Sequence, residues 1–366
     1  MVYNITMRQI NPKTKIIVAL SGGVDSAVSA ALLVEKGYDV TGVFMKNWSG
    51  DDFSLNSDCP WEQDQSDAEA VCKTLNIPFR SVNFEKQYRE IVVKYFFDEY
   101  RKGRTPNPDI LCNKEIKFKL FLQYANNTGA ELIATGHYAR IHEDKNGFNL
   151  LKGIDKNKDQ SYFLHKLNQE QLSKSLFPIG ELEKSQVREL AEKYNLPNAK
   201  KKDSQGICFI GKINVQDFLR DNIKRSEGNI IDINTNEIVG KHDGVMFYTI
   251  GQREGIGIGG AGLPYYVTAK DSTKNVLFVA KGKDHPSLYS REVKFEDMYW
   301  INVNETKPDT LNASVRYRHN PSSGLINLKE NMFVFEEPQR AITPGQSIVF
   351  YQDDVCLGGA IISQQV

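Results

Sequence analysis

A continuous apolar run, KIIVAL at 15–20, passes directly into the glycine-rich stretch SGGVDS at 21–26 and then into the small and apolar residues of 27–36. Buried strand, tight loop and helix start, in that order, are the unit from which parallel sheets with crossover helices are built. Glycines in such a loop let backbone N–H groups converge, and the dipole of the following helix favours an anion there. Ala19, Leu20, Ser21, Gly22, Gly23, Val24, Asp25 and Ser26 are therefore read as a phosphate cradle. The Gly-Lys-Ser/Thr ending of a Walker A loop is missing, so the cradle is of another kind. A strand-to-helix turn without a ligand is the competing reading of the same residues.

The same alternation continues along the chain. Strands are predicted at 39–45, 79–84 and 131–135, helices at 64–75, 86–101 and 114–126, and further helices at 169–176 and 184–194. This is an α/β pattern with a doubly wound parallel sheet. The stretch KKKDSQGICFIG at 200–211 reads as a loop, and a first boundary is placed near Gly211. Three domains are expected: 1–211, a small and mostly β central domain at 212–286, and an antiparallel β-barrel at 287–366. Strand-like runs at 313–317 and 347–351 support the barrel, the latter returning at 355–362 through a Gln-Asp-Asp turn.

Composition removes several function classes. No run approaches the roughly 18 apolar residues of a membrane span, so no membrane is expected as a partner. The start, MVYNITMRQINPKTK, has neither an apolar signal core nor an amphipathic import pattern, which makes the cytoplasm the expected location. Five cysteines, Cys59, Cys72, Cys112, Cys208 and Cys356, form no CxxC pair, which argues against structural zinc and a secreted disulfide framework; no metal ligands are assigned. Lys plus Arg number 46 and so do Asp plus Glu, so any nucleic-acid contact must come from local basic patches.

SGGVDS resembles the pyrophosphate-binding loop of the ATP pyrophosphatases (the PP-loop group), whose members split ATP into AMP and pyrophosphate while adenylating an oxygen. Two cysteine-bearing segments narrow the resemblance: TPNPDILCNKEIKF at 105–118 and DSQGICFIG at 203–211. With MKNW at 45–48, TGHYAR at 135–140, NKDQSYFL at 157–164, TIGQR at 249–253, TPGQ at 343–346 and CLGG at 356–359, the chain resembles the tRNA-specific 2-thiouridylases over nearly its whole length. The departures fall in connecting stretches, chiefly the loop at 49–61 and the short turn before Pro264. The resemblance implies an adenine nucleotide hydrolase-like catalytic domain, ATP with magnesium, and the anticodon region of a tRNA as partner. It also implies a protein that donates persulfide sulfur.

Chemistry gives its own reason for two thiols. A uridine 2-oxo group would have to leave as hydroxide, so adenylation supplies AMP as the leaving group instead. A cysteine persulfide can then deliver sulfur, and a second cysteine can break the S–S bond and end in a disulfide. The resemblance makes Cys208, next to Lys200, Lys201 and Lys202, the persulfide carrier, and Cys112 the nucleophile paired with it. Cys112 is expected to precede a helix starting near Asn113, where the dipole would lower a thiol pKa. Asp109 is the ionisable candidate for acid or base work, with an Asx-type turn after Pro108 as the alternative.

By the same resemblance Met45 and Gly136 join the nucleotide site, and Asn107, Pro108 and Asp109 face the target base. His137, Lys158, Asp159, Gln160, Arg316, Tyr317 and Gln346 would contact tRNA. Met45 taken alone reads as core. Arg316 and Arg318 are expected to alternate along a strand and share a face, with solvated charge as the other explanation. Cys72, on a helix, and Cys356, in a strand, are read as buried structural thiols. The rival functions are an amide-forming synthetase of the same ATP-splitting group, which has no use for a thiol pair, and a non-catalytic RNA-binding protein.

Overall fold

The computed structural model describes residues 11, 13–49, 61–202, 215–259, 262–303 and 308–365. Its first layer system runs β1 (Lys15–Leu20), α1 (Val24–Glu35), β2 (Asp39–Lys46), α2 (Trp61–Leu75) and β3 (Phe79–Asn83). Then come α3 (Glu85–Tyr88), α4 (Lys94–Arg101), α5 (Pro108–Leu111), α6 (Phe121–Asn127) and β4 (Leu132–Ala134). A hairpin of β5 (Ala139–Asp144) and β6 (Gly147–Lys152) follows, then α7 (Ser161–Leu164), α8 (Gln169–Ser173), β7 (Ser175–Leu176) and α9 (Lys184–Lys193).

β3, β2, β1, β4 and β7 form one sheet in that spatial order, every pair parallel. The order reverses between β1 and β4, which is the place where doubly wound sheets bind ligands. β1 is buried on both faces, as a parallel strand covered by helices must be. Ile16, Val18 and Leu20 pack with α1 and α2 residues such as Leu33 and Cys72, while Ile17 and Ala19 belong to the larger core on the other side.

Two long helices that each contain a π-helical stretch contribute many residues to that larger core. Arg89–Val93 joins α3 to α4, and Cys112–Leu120 joins α5 to α6. The predicted helix at 169–176 ends earlier, at Ser173, because Ser175 and Leu176 pair with Ile133 and Ala134 as the edge of the sheet. Sheet pairing here overrides local propensity.

A helix absent from the sequence reading, α10 (Val215–Asn222), leads into the central sheet of β8 (Gly228–Asp232), β9 (Ile238–His242), β10 (Tyr265–Asp271) and β11 (Val276–Lys281). Its order is β10-β11-β8-β9, parallel between β11 and β8. The last six strands are β12 (Tyr289–Trp300), β13 (Thr310–Ser314), β14 (Ser322–Asn327), β15 (Met332–Arg340), β16 (Ser347–Gln352) and β17 (Val355–Gln365). They run antiparallel, and pairing of β12 with β17 closes them into a barrel around Phe333, Phe335, Phe350 and Ile362. The β5–β6 hairpin, which sequence reasoning did not find, leaves the first layer system and adds to this barrel by pairing Leu151 with Val355 and Leu150 with Cys356. Among the described residues no helix is long and apolar enough to cross a membrane.

Candidate nucleotide and RNA site

The glycine-rich loop leaves the carboxyl end of β1 and enters α1 at Gly23, the N-cap residue. Gly22 has φ +74 and lies so close to α2 that a Cβ would meet the Asp64 carbonyl oxygen at 2.4 Å, so only glycine fits. The loop is cross-braced by the Ser26 hydroxyl, which donates to the Gly23 carbonyl (3.1 Å) and accepts from the Ser21 N–H (3.2 Å). Across the switch point, the chain leaving β4 presses Gly136 against the same loop: a Cβ there would lie 2.6 Å from Ser26 N and 2.8 Å from the Asp25 carbonyl carbon. The two loops thus meet backbone to backbone at the N-terminus of α1, the end of a helix that favours an anion.

Asp25, in the first turn of α1, faces two groups from outside the loop. Its Oδ1 accepts from the Tyr138 hydroxyl at 2.8 Å and from Lys184 Nζ at 2.7 Å. Asn198 donates its side-chain amide to the Gly22 carbonyl (2.9 Å), and Lys201 bridges Asp64 and Asp67 of α2. Sequence reasoning missed Tyr138, Lys184 and Asn198 in this role and read Lys201 only as part of the basic run before Cys208. Tyr138 stood inside a quoted motif; Lys184 carried a signal, since a cation in the first turn of a helix opposes the dipole and calls for an anionic partner. Asn198 had none. Met45, at the end of β2, is buried in the larger core beside Val43 and Trp48, so its position fits both readings of it.

Cys112 lies elsewhere than expected along its helix. Asn107 is the N-cap, accepting from the Asp109 N–H at 3.2 Å, Pro108 is the first helical residue, and Cys112 is therefore one turn inside rather than in front of the helix. The Asx-type bond belongs to Asn107, not Asp109. The Cys112 side chain is wholly buried. Its neighbour Asn113 donates to the Phe163 carbonyl at 3.3 Å, and the Phe163 ring packs on Tyr317 of the barrel, 4.4 Å between centroids. Cys208 falls outside the described residues, as does Cys59. Cys72 and Cys356 are buried in a helix and a strand, and burial pushes the Cys72 thiol up to about 12 and raises that of Cys356.

The remaining candidates fall into three groups. His137 is buried between Phe118 and Phe177, with Nδ1 2.7 Å from the Thr135 hydroxyl; burial, with Lys117 nearby, holds it well below the usual imidazole range, hence neutral. Lys158, Asp159 and Gln160 form a loop gathered around the Asp159 carboxylate, which accepts from Gly153 N–H (2.9 Å) and from the Ser161 N–H and hydroxyl. Arg316 and Tyr317 sit in a turn after β13 rather than on a strand, and Arg318 has φ +61, so the expected alternation of Arg316 with Arg318 does not exist. The strand ends at Ser314, whose hydroxyl bonds the His319 carbonyl and closes that turn. Burial and then Arg340 lower the Arg316 pKa. Gln346 gives its amide to the Thr105 carbonyl (2.8 Å), two residues before Asn107.

Comparison with known proteins divides the chain into three matched stretches. Residues 14–212 match the family described as tRNA methyl transferase HUP domain, 216–281 the tRNA methyl transferase PRC-barrel domain, and 290–362 the Aminomethyltransferase beta-barrel domain. Relatives named tRNA-specific 2-thiouridylase MnmA include one from Stutzerimonas stutzeri, 52% identical over 359 residues, 96% of this chain and 95% of that protein. Another, from Staphylococcus aureus, is 50% identical over 359 residues, covering 96% of each chain. The methyl-transfer wording of the domain descriptions and the thiolation in the relatives' names disagree; half the residues being identical over 96% of this chain is the more specific statement.

Proposed function

The chain belongs to the tRNA-specific 2-thiouridylase family, and from that premise we propose that it replaces the 2-oxo group of a tRNA wobble uridine with sulfur, using ATP. The observation that supports the reading is the glycine-rich turn at the β1/β4 switch point, where the Ser21–Ser26 loop opens α1 and Gly136 packs backbone to backbone against it, at the helix end that favours an anion. Magnesium would enter with ATP as its counter-ion, and Asp25 is the carboxylate the cradle offers it.

In this reading the uridine O2 attacks the α-phosphorus and pyrophosphate leaves. A persulfide on Cys208, loaded by a sulfur-donor protein, adds its terminal sulfur to C2 and AMP leaves. The Cys112 thiolate then attacks Cys208 Sγ, the electron pair of the broken S–S bond stays on the nucleoside sulfur, and a Cys112–Cys208 disulfide remains for reductant to open. Asn107, Pro108 and Asp109 meet the flipped base, a single-stranded anticodon base being the kind that splays out easily. The burial of Cys112 means that its helix or the cover over it shifts before reaction. Contacts to the RNA come from His137 as a neutral ring, from Lys158, Asp159 and Gln160, and from Arg316, Tyr317 and Gln346. Work in the cytoplasm fits this substrate.

Incubating unmodified tRNA with the protein, ATP, magnesium and a sulfur source, followed by nucleoside mass spectrometry, tests the proposal. A uridine gaining the mass of one oxygen-to-sulfur exchange is expected; unchanged nucleosides with an active sulfur source would overturn it.

A further inference from the structure

A single loop, 153–161, reaches one carboxylate oxygen of the phosphate cradle by two separate routes. On the first, Gln160 grips the backbone of Tyr138 from both sides: its N–H donates to the Tyr138 carbonyl (2.8 Å) and its Oε1 accepts from the Tyr138 N–H (3.0 Å). The Tyr138 hydroxyl then donates to Asp25 Oδ1 at 2.8 Å. On the second, Asp155 Oδ2 accepts from the backbone N–H of Lys184 (2.9 Å) and fixes the first turn of α9, whose Lys184 Nζ reaches the same Asp25 Oδ1 at 2.7 Å. The loop has little slack between these anchors. Asp159 is tied to Gly153 and Ser161, Ile154 N–H donates to the Gly180 carbonyl, and Asp155 accepts through its main-chain carbonyl from Lys158 and Asp159.

We infer that loop 153–161 couples RNA occupancy to the phosphate cradle, with Tyr138 and Lys184 as positioning residues that set the Asp25 carboxylate. The inference rests on the proposed function, in which Lys158, Asp159 and Gln160 meet tRNA. A shift of those residues cannot leave Tyr138 and the start of α9 where they are without breaking the bonds just named, and both end on one oxygen. The chemical sense is that a target base must be present before ATP is split, because an adenylating site without its acceptor loses ATP to water. Asp25 is a carboxylate in the cradle and a polyphosphate is an anion, so the Tyr138 hydroxyl and Lys184 Nζ, by occupying its Oδ1, set how much negative charge faces the bound polyphosphate.

The test uses the full-length protein and compares wild type with Tyr138→Phe, which keeps the buried ring and removes only the hydroxyl, and with Asp155→Ala, which cuts the other route. Affinity for a non-hydrolysable ATP analogue is measured alone and with saturating unmodified tRNA, and pyrophosphate release is followed in the same two conditions. For wild type, tRNA is expected to tighten the analogue by a factor within the roughly 5- to 150-fold range of coupled sites, and by reciprocity the analogue tightens tRNA equally. In Tyr138→Phe that factor falls toward one, whatever change the variant makes to the affinity of either ligand alone. Asp155→Ala should lower it as well, and it decides the matter if Tyr138→Phe does not fold. Coupling retained in the folded variants, with wild type thiolating tRNA, overturns the inference and leaves the function standing. Absent coupling in a wild type that thiolates tRNA overturns it too; a wild type that never thiolates tRNA removes both.

Discussion

At the scale of single residues, the cradle depends on the absence of a side chain at Gly136. A methyl group there would sit 2.6 Å from Ser26 N, against backbone that cannot swing aside. Gly136→Ala should therefore carry about 1–3 kcal/mol of overpacking strain. It is expected to weaken ATP binding, read by calorimetry, while tRNA affinity is retained. His165 makes a different prediction. It is wholly buried, donates from Nδ1 to the Tyr162 carbonyl at 2.8 Å, and has no partner for Nε2 among the described residues. Burial lowers its pKa to about 3. A depressed folded-state pKa means the unfolded chain takes up the proton first, so the stability it lends is complete above about 6.5 and is lost progressively as pH falls toward 3. Between pH 7.5 and 5 the loss amounts to about 2 kcal/mol from this group alone. Urea unfolding at those two pH values should show it, and His165→Asn should flatten the difference. Neither residue's environment was legible beforehand: Gly136 was named from a motif rather than from its contact with Ser26, and the fully enclosed His165 was not singled out at all.

Elements were read more successfully than their ends. Apolar runs such as 15–20 and 39–45 are long, bounded by turns and buried on both faces, and they became β1 and β2 with little change. What failed were features decided by distant partners. β7 is two residues long and exists because β4 offers it an edge, and the β5–β6 hairpin exists because β17 lies beside it. The start of α5 failed for a local reason: Asn107-Pro108 is a cap followed by a first-turn proline, and that signal places Cys112 one turn deeper than a start at Asn113 does. The cap has its own consequence. Asn107→Ala should cost about 1 kcal/mol of stability through the lost bond to the Asp109 N–H. It should also loosen the turn that presents Asp109, so that thiolation falls by more than the melting temperature implies, whereas Asn107→Ser should restore much of the stability.

At the scale of the whole molecule, the segment before Asn107 is where three bodies meet. Thr105 N–H donates to Pro344 and its carbonyl accepts from Gln346, both in the barrel, while its hydroxyl lies 3.3 Å from that of Thr249 in the central region. RNA held by such an assembly should bind in a strongly salt-dependent way although the chain is formally neutral, with log affinity falling by about 0.7 per log salt for each single-stranded phosphate neutralised. Arg316→Gln is expected to lower that slope by about one contact, measured by titration across salt concentrations. The β5–β6 hairpin adds a consequence in time. Leu151 is synthesised 204 residues before its partner Val355. At about 5–20 residues per second, the hairpin waits roughly 10–40 s on the ribosome before β17 can cover its β6 edge. Translation speed over the second half of the message thus sets how long a ready template for strand addition is on offer to neighbouring nascent chains.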